Sequence, residues 1–394
     1  LRRYRKISGI RKVLFIIFWM AALVLFINLD KVINMESGIK DISAVLDAEH
    51  STPGDIELKA DEYIKIYESS GWFSGSVLMA KKGEIILNKG YGMANYELGV
   101  FNTPKTKFHL GSLTKQFTAM AIMQLEEKGL LSVEDKLSKY IADYPNGNKI
   151  TIHMLLTHTS GIPDYINDDD SFNSISKLPH SITQIIDRFK NKPLEFTPGK
   201  KYDYSNSGYV LLSYIIEKVS GKSYEQYLQD NIFTPLGMVN TGYDYLTPII
   251  KDRASGYSIS KGSLVNAEFF DRSNLQGADG LYSNTEDLYL WDRALYTEKL
   301  AKKETLDKIF KVYPPATAYG YGWTISDGEI KHFGKMDGFY TFISRDITND
   351  ITIIVLSNIQ QVPLGAIARD LNYIAHEKDY KLPENLAVIK TIYQ

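Results

Sequence analysis

Runs rich in β-forming residues crowd the two ends of this sequence and are nearly missing from its middle. Near the start, "FSGSVLMAKKGEIILNKGYGMAN" carries two of them on either side of Lys82-Gly83, a dipeptide suited to a hairpin turn. Near the end come "YGYGWTI" (319–325), "GEIKHFG" (328–334), "GFYTFISRD" (338–346) and "ITIIVLSN" (351–358). Short turns join them, Asp327-Gly328 among these, and such turns favour antiparallel neighbours. The middle is mainly helical, with breaks at Gly129, Pro145, Gly161, Pro198, Gly221 and Gly237. This layout predicts one antiparallel sheet built from both chain ends and flanked by helices, plus an all-helical subdomain. That is an α+β fold, or α/β sandwich. The spacing of Ile56, Ala60, Tyr63, Ile64 and Tyr67 predicts a helix before the first strand. A last helix is expected from about Pro363 to Glu377, with proline in its first turn.

Ahead of all this, Arg2, Arg3, Arg5, Lys6, Arg11 and Lys12 precede "VLFIIFWMAALVLFI", an apolar run from Val13 to Ile27 that Leu29 extends. Its length lies near the lower limit for a spanning helix, roughly 17–25 residues. The following "INLDKVINM" has no A-x-A-like cleavage site, so an uncleaved anchor is favoured over a signal peptide. Basic residues stay on the cytoplasmic side of such a helix. The expected layout is a basic tail and transmembrane helix over 1–30, an extracellular stalk over 31–55, a globular domain over 56–380 and a C-terminal tail over 381–394.

There is no cysteine, which excludes disulfides, thiol catalysis and zinc–thiolate sites. A net charge of -2 gives no electrostatic case for nucleic acid. No His-Glu-x-x-His or phosphate-binding glycine loop occurs, so no metal or cofactor is expected. His153 and His158 are five apart, off the usual same-face spacing. Gly-x-Ser-x-Gly is also missing, against an α/β-hydrolase elbow.

Ser-x-x-Lys occurs four times, at Ser37/Lys40, Ser112/Lys115, Ser174/Lys177 and Ser258/Lys261. For the bare pattern, a serine that merely caps a helix is the readier explanation. Context separates the copies. Ser37 lies in the stalk, Ser174 in an acidic, turn-rich stretch, and Ser258 in a glycine-bounded loop. Only Ser112 opens a strong helix, with Phe117, Met120, Ala121 and Leu125 as its apolar stripe. Residues i and i+3 share a helix face, which brings Lys115 beside Ser112. The positive end of the helix dipole and burial both disfavour an ammonium there. A neutral amine could take the serine proton, and backbone N–H groups at the helix start could hold an oxyanion.

Downstream, Tyr204-Ser205-Asn206 precedes another amphipathic helix and could aim a phenol and a carboxamide into one cleft. Alone, the stretch reads better as a buried tyrosine and a turn-forming Asn-Ser-Gly. A second copy, Tyr282-Ser283-Asn284, looks like a helix start and is ranked structural. His332-x-Gly334 ends a strand that could bind substrate backbone.

Ser112-x-x-Lys115, Tyr204-x-Asn206 and His332-x-Gly334 occur in the order used by the serine β-lactamase and penicillin-binding-protein superfamily, and the chain resembles its class C-like branch. "FHLGSLTKQFTA", "ITIHMLLTHTSGIPDY", "FTPGKKYDYSNSGYVLL", "IFTPLGM" and "GADGLYSNTEDL" carry the resemblance, from about Ser74 to Asn358. It implies a β-lactamase/transpeptidase-like fold with the active site between the sheet and the helical subdomain. It also implies Ser112 as acyl-forming nucleophile, Lys115 as its proton acceptor and Tyr204 as general acid/base. Asn206, His332, Gly334 and Lys335 would bind substrate, the last through its backbone N–H. His158 would be scaffolding.

One departure matters. Where class C β-lactamases and carboxypeptidases carry Lys-Thr-Gly or a close variant, this chain has His332-Phe333-Gly334. An ammonium becomes an imidazole largely neutral at pH 7. The departure weakens the case for efficient β-lactam or D-Ala-D-Ala processing. It resembles family members with a histidine here, among them esterases, D-amino-acid peptidases and teichoic-acid D-alanyl esterases. Together with the N-terminal anchor, the expectation is a membrane-anchored, outward-facing hydrolase of D-alanyl esters or amides, in teichoic acid or peptidoglycan. A D,D-carboxypeptidase or weak β-lactamase is the alternative within the family. A silent sensor or scaffold binding cell-wall fragments is the alternative outside catalysis.

Overall fold

The computed structural model describes residues 56–391 apart from 168–171, 173–175, 246, 337 and 384–385. The proposed anchor and stalk lie outside the described residues. Among those described, no helix is long and apolar enough to cross a membrane.

Helix α1 (Ile56–Ser69) leads into strands β1 (Gly75–Lys81) and β2 (Glu84–Tyr91). Lys82 and Gly83 both take positive φ, 55° and 79°, as a two-residue hairpin turn requires. The chain then runs through helices α2 (Thr114–Glu127), α3 (Asn206–Ser220) and α4 (Thr285–Ala294). It returns as β3 (Thr324–Ser326), β4 (Glu329–Met336), β5 (Phe339–Asp346) and β6 (Ile351–Ser357), and closes with α5 (Leu364–Ala375). These strands form one six-stranded antiparallel sheet in the order β3-β4-β5-β6-β1-β2. Strands from opposite ends of the chain meet at β1 and β6, where Gly75 pairs with Ser357 and Lys81 with Ile351.

Both faces of the sheet are covered, which is why β1 and β6 read as unbroken apolar runs. Val77, Met79, Ile353 and Val355 face α1 and α5, against Ala60, Tyr63, Ile64, Ile367 and Leu371. Their neighbours Leu78, Ala80, Ile354 and Leu356 face the larger core, which contains Phe117, Met120, Leu288 and Trp291. Each fully buried side chain of this size contributes about 1.5–3 kcal/mol. Arg345 on β5 is fully buried and pairs with Asp292 of α4, Nε to Oδ1 at 2.9 Å. This buried pair ties that helix to the sheet.

One expectation needs adjustment. The stretch 319–325 does not form a strand throughout, since β3 begins only at Thr324. Gly322 turns there with φ +75°, and a Cβ on it would lie 2.7 Å from the Lys115 carbonyl oxygen. The segment is thus a loop pressed onto α2. At the C-terminus the chain returns to the body. Ile389 N–H donates to Ser70 O at 2.9 Å, and Lys390–Thr391 pairs in parallel with Ser263–Asn266.

Candidate active site

A one-turn 3-10 helix, Gly111–Leu113, carries Ser112 and runs directly into α2. Its position depends on two glycines. Gly111 takes φ +60°, and a Cβ on it would lie 2.8 Å from Gly334 C and Lys335 N. A Cβ on Gly334 would lie 2.0 Å from Leu110 O and 3.0 Å from Ser112 N. Only without side chains can the helix start lie flat on β4. Thr341 Oγ1 donates to Leu110 O at 2.6 Å and fixes the contact from β5. The backbone nitrogens of Ser112 and Lys335 therefore border the same point.

Lys115, one turn along α2, is fully buried. Its Nζ lies 3.0 Å from Ser112 Oγ, 2.8 Å from Asn206 Oδ1 and 2.9 Å from Ala278 O. The rings of Tyr204 and Tyr209 stand over it at 4.8 and 5.5 Å. Burial pulls its pKa down to about 7, against the opposing pull of the Asp279 and Asp164 carboxylates. A neutral amine has two hydrogens and one lone pair. Two of its three partners are carbonyl oxygens that can only accept, so they take both hydrogens. The lone pair is left for the Ser112 hydroxyl.

Asn206 opens α3, and its orientation is set from behind. Its Nδ2 donates to Asp164 Oδ2 at 2.7 Å, which turns Oδ1 toward Lys115. Burial pushes the Asp164 carboxyl above its ordinary value. Tyr204 shares a hydrogen bond with Ser112, and burial raises its phenol well above the usual range. It is therefore a protonated phenol near neutral pH, able to pass a proton but not to stand as a phenolate base.

His332 on β4 is buried between two fixed partners. Nδ1 faces Phe333 O at 2.7 Å and must carry the proton, so Nε2 accepts from Tyr319 O–H at 3.0 Å. Burial, with the charge of Lys115, takes its pKa down to about 3. This imidazole is neutral. His158 is buried too, in the left-handed region at φ 58°. Its Nδ1 accepts from Ser205 N–H at 3.1 Å, and its ring lies 4.2 Å from that of Tyr204. It shapes the loop that presents Tyr204, a scaffolding role.

The structure brings Ser112, Lys115, Tyr204, Asn206, His332, Gly334 and Lys335 to one place. All but Lys115 and Gly334 line a cavity of about 370 Å³, which also takes in Ile166, Tyr319 and Asp279. Asn284, from the second Tyr-Ser-Asn, instead caps α4 by accepting from Asp287 N–H at 2.8 Å. Among the described residues, no three His, Asp or Glu side chains come together as metal ligands. Sequence reading missed Asp164, Tyr319 and Asp279. The first and last stand inside "HTSGIPDY" and "GADGLYSN", yet a single carboxylate in a short loop carries no periodic signal.

The sequence matches the Beta-lactamase family over residues 62–376. PbpX of Bacillus subtilis (strain 168) is 35% identical over 307 residues, covering 78% of this chain and 76% of that protein. The solved penicillin binding protein from Bacillus halodurans superposes with a TM-score of 0.70 at 29% identity, covering 78% of this chain and 98% of its own. A D-amino acid amidase from Ochrobactrum anthropi SV3 gives a TM-score of 0.74, covering 82% of this chain and 99% of its own. Its 21% identity makes that a likeness of fold alone. With that family match spanning most of the chain, around a serine and lysine in contact, the protein belongs to the beta-lactamase family of serine hydrolases.

Proposed function

We propose that this protein is a membrane-anchored, outward-facing hydrolase that removes D-alanyl groups held as esters or amides in the cell envelope, in teichoic acid or peptidoglycan. Ser112 Oγ attacks the acyl carbon while the Lys115 amine takes its proton. The carbonyl electron pair moves onto oxygen, held by the backbone N–H groups of Ser112 and Lys335. Collapse expels the alcohol or amine, which takes the proton from Lys115 by way of Tyr204. Water then attacks the Ser112 ester, gives its proton to Lys115, and releases the acid as the hydroxyl reforms.

The observation that carries this reading is the contact set of Lys115: one hydroxyl and two oxygens that only accept. A base so arranged contributes about a hundredfold to ten-thousandfold in rate. The choice of an aminoacyl ester or amide over a peptide carboxylate rests on His332. Its neutral imidazole offers no cation to a terminal carboxylate, where the resemblance to class C β-lactamases and carboxypeptidases implies a lysine. The test is release of free D-alanine from D-alanylated teichoic acid and from a D-Ala-D-Ala peptide, with a Ser112→Ala control. Serine-dependent release from teichoic acid is expected. Release that survives Ser112→Ala would overturn the reading.

A further inference from the structure

One carboxylate in the cavity has no task in the chemistry above. Asp279 is 3% exposed and lines the same cavity as Ser112. Its Oδ1 lies 2.8 Å from His109 Nε2 and also accepts from its neighbour, Gly280 N–H, at 2.5 Å. Oδ2 takes no hydrogen bond among the described residues, and it is not one of the sealed, unpartnered atoms of the core. In spite of burial, His109 and the charge of Arg272 hold this carboxylate below its ordinary value, so it stands ionised with one oxygen satisfied and the other open to the cavity. The carbonyl of the preceding residue, Ala278, holds Lys115 Nζ, and Asp279 and Ser112 line the same cavity.

We propose that Asp279 is a binding residue for a free ammonium on the acyl group of the substrate, which makes this site selective for aminoacyl over plain acyl donors. The proposal deepens the hydrolase reading above and rests on it for the position of the acyl carbon. The other cavity walls mix apolar side chains (Ile166, Phe333, Met336) with tyrosines and the Lys335 side chain, and Asp279 is the one carboxylate among the described lining residues. His109 holds Oδ1 and leaves Oδ2 to the ligand. Binding also feeds back on the base. The Asp279 carboxylate helps Lys115 keep its proton. An ammonium beside that carboxylate cancels the pull and favours the neutral amine at the moment it is needed.

The test compares p-nitrophenyl D-alaninate with p-nitrophenyl propionate, which differ by the ammonium alone. In the full-length protein, kcat/KM is expected to favour the D-alaninate at least about tenfold after correction for intrinsic reactivity, as a charged hydrogen bond implies. In Asp279→Asn that ratio is expected to fall to near one. An unchanged ratio would overturn the proposal. Because Asp279→Asn disturbs a buried pair and can impair folding, a second measurement needs no change at Asp279. D-alaninamide and propionamide are titrated into the Ser112→Ala protein, and D-alaninamide is expected to bind about tenfold tighter or more. Equal binding would overturn the proposal. Full turnover by Ser112→Ala would instead remove the hydrolase mechanism, and the binding titration would still decide on Asp279.

Discussion

Lys115 Nζ stands 3.0 Å from Ser112 Oγ while Asn206 Oδ1 and Ala278 O occupy its other hydrogens. A base is thus oriented by groups that cannot themselves be titrated. Because burial brings the pKa of Lys115 down to about 7, the neutral amine is expected to be the active form and activity to rise with pH. The acid limb of kcat/KM is expected to reach half its plateau near pH 7 and to fall tenfold per unit below it. Lys115→Arg, always charged, is expected to lose about a hundredfold or more at every pH. A stopped assay on a chromogenic ester from pH 5 to 9 checks both. A flat profile in the wild type would count against this role.

Asp164 acts through Asn206. Removing it as Asp164→Ala frees the carboxamide to turn and takes a negative charge from the neighbourhood of Lys115. The sign follows from the charge: without that carboxylate the ammonium is less favoured, so the acid limb moves to lower pH. The rate at the plateau is expected to fall about tenfold to a hundredfold. A loss of rate with an unmoved limb would make Asp164 structural only.

Gly111 tests the contact between α2 and β4. Gly111→Ala places a Cβ 2.8 Å from the backbone of β4 at a φ of +60°. The expected cost is about 1–3 kcal/mol from the backbone strain alone, before the clash is counted. Chemical denaturation gives the stability, and the ester assay is expected to show activity lost with it. Wild-type stability and rate in this variant would mean that the helix start does not rest on the strand.

How much of this was legible beforehand depends on how far apart the partners lie in the chain. The sheet was, because β1 and β6 are apolar runs, and Lys82-Gly83 marks the hairpin from β1 to β2 and Asp327-Gly328 the one from β3 to β4. Ser112 and Lys115 were, because three residues on a helix fix their relation. The loop at 319–323 reads as a strand because its aromatic residues suit either state, and only its packing on the Lys115 backbone requires Gly322 to turn. Asp164 and Asp279 could not be singled out. Their meaning arises only when segments about forty and more than a hundred residues away converge on Lys115.

His332 is expected to limit recognition of antibiotics. A neutral imidazole held by Tyr319 and Phe333 contributes no charge between pH 6 and 8. Labelling by a fluorescent penicillin is therefore expected to be slow against ester turnover, with no gain on acidification over that range. Faster labelling at pH 6 than at pH 8 would show that this histidine charges in the working enzyme.

The most direct measurement is mass spectrometry of the protein quenched in acid during turnover of a reactive D-alanyl ester, followed by peptide mapping. One acyl group on the peptide containing Ser112 is expected in the wild type, and none in Ser112→Ala or Lys115→Arg. An acyl group on another residue, or an adduct on Ser112 that forms equally fast with arginine at 115, would contradict the account.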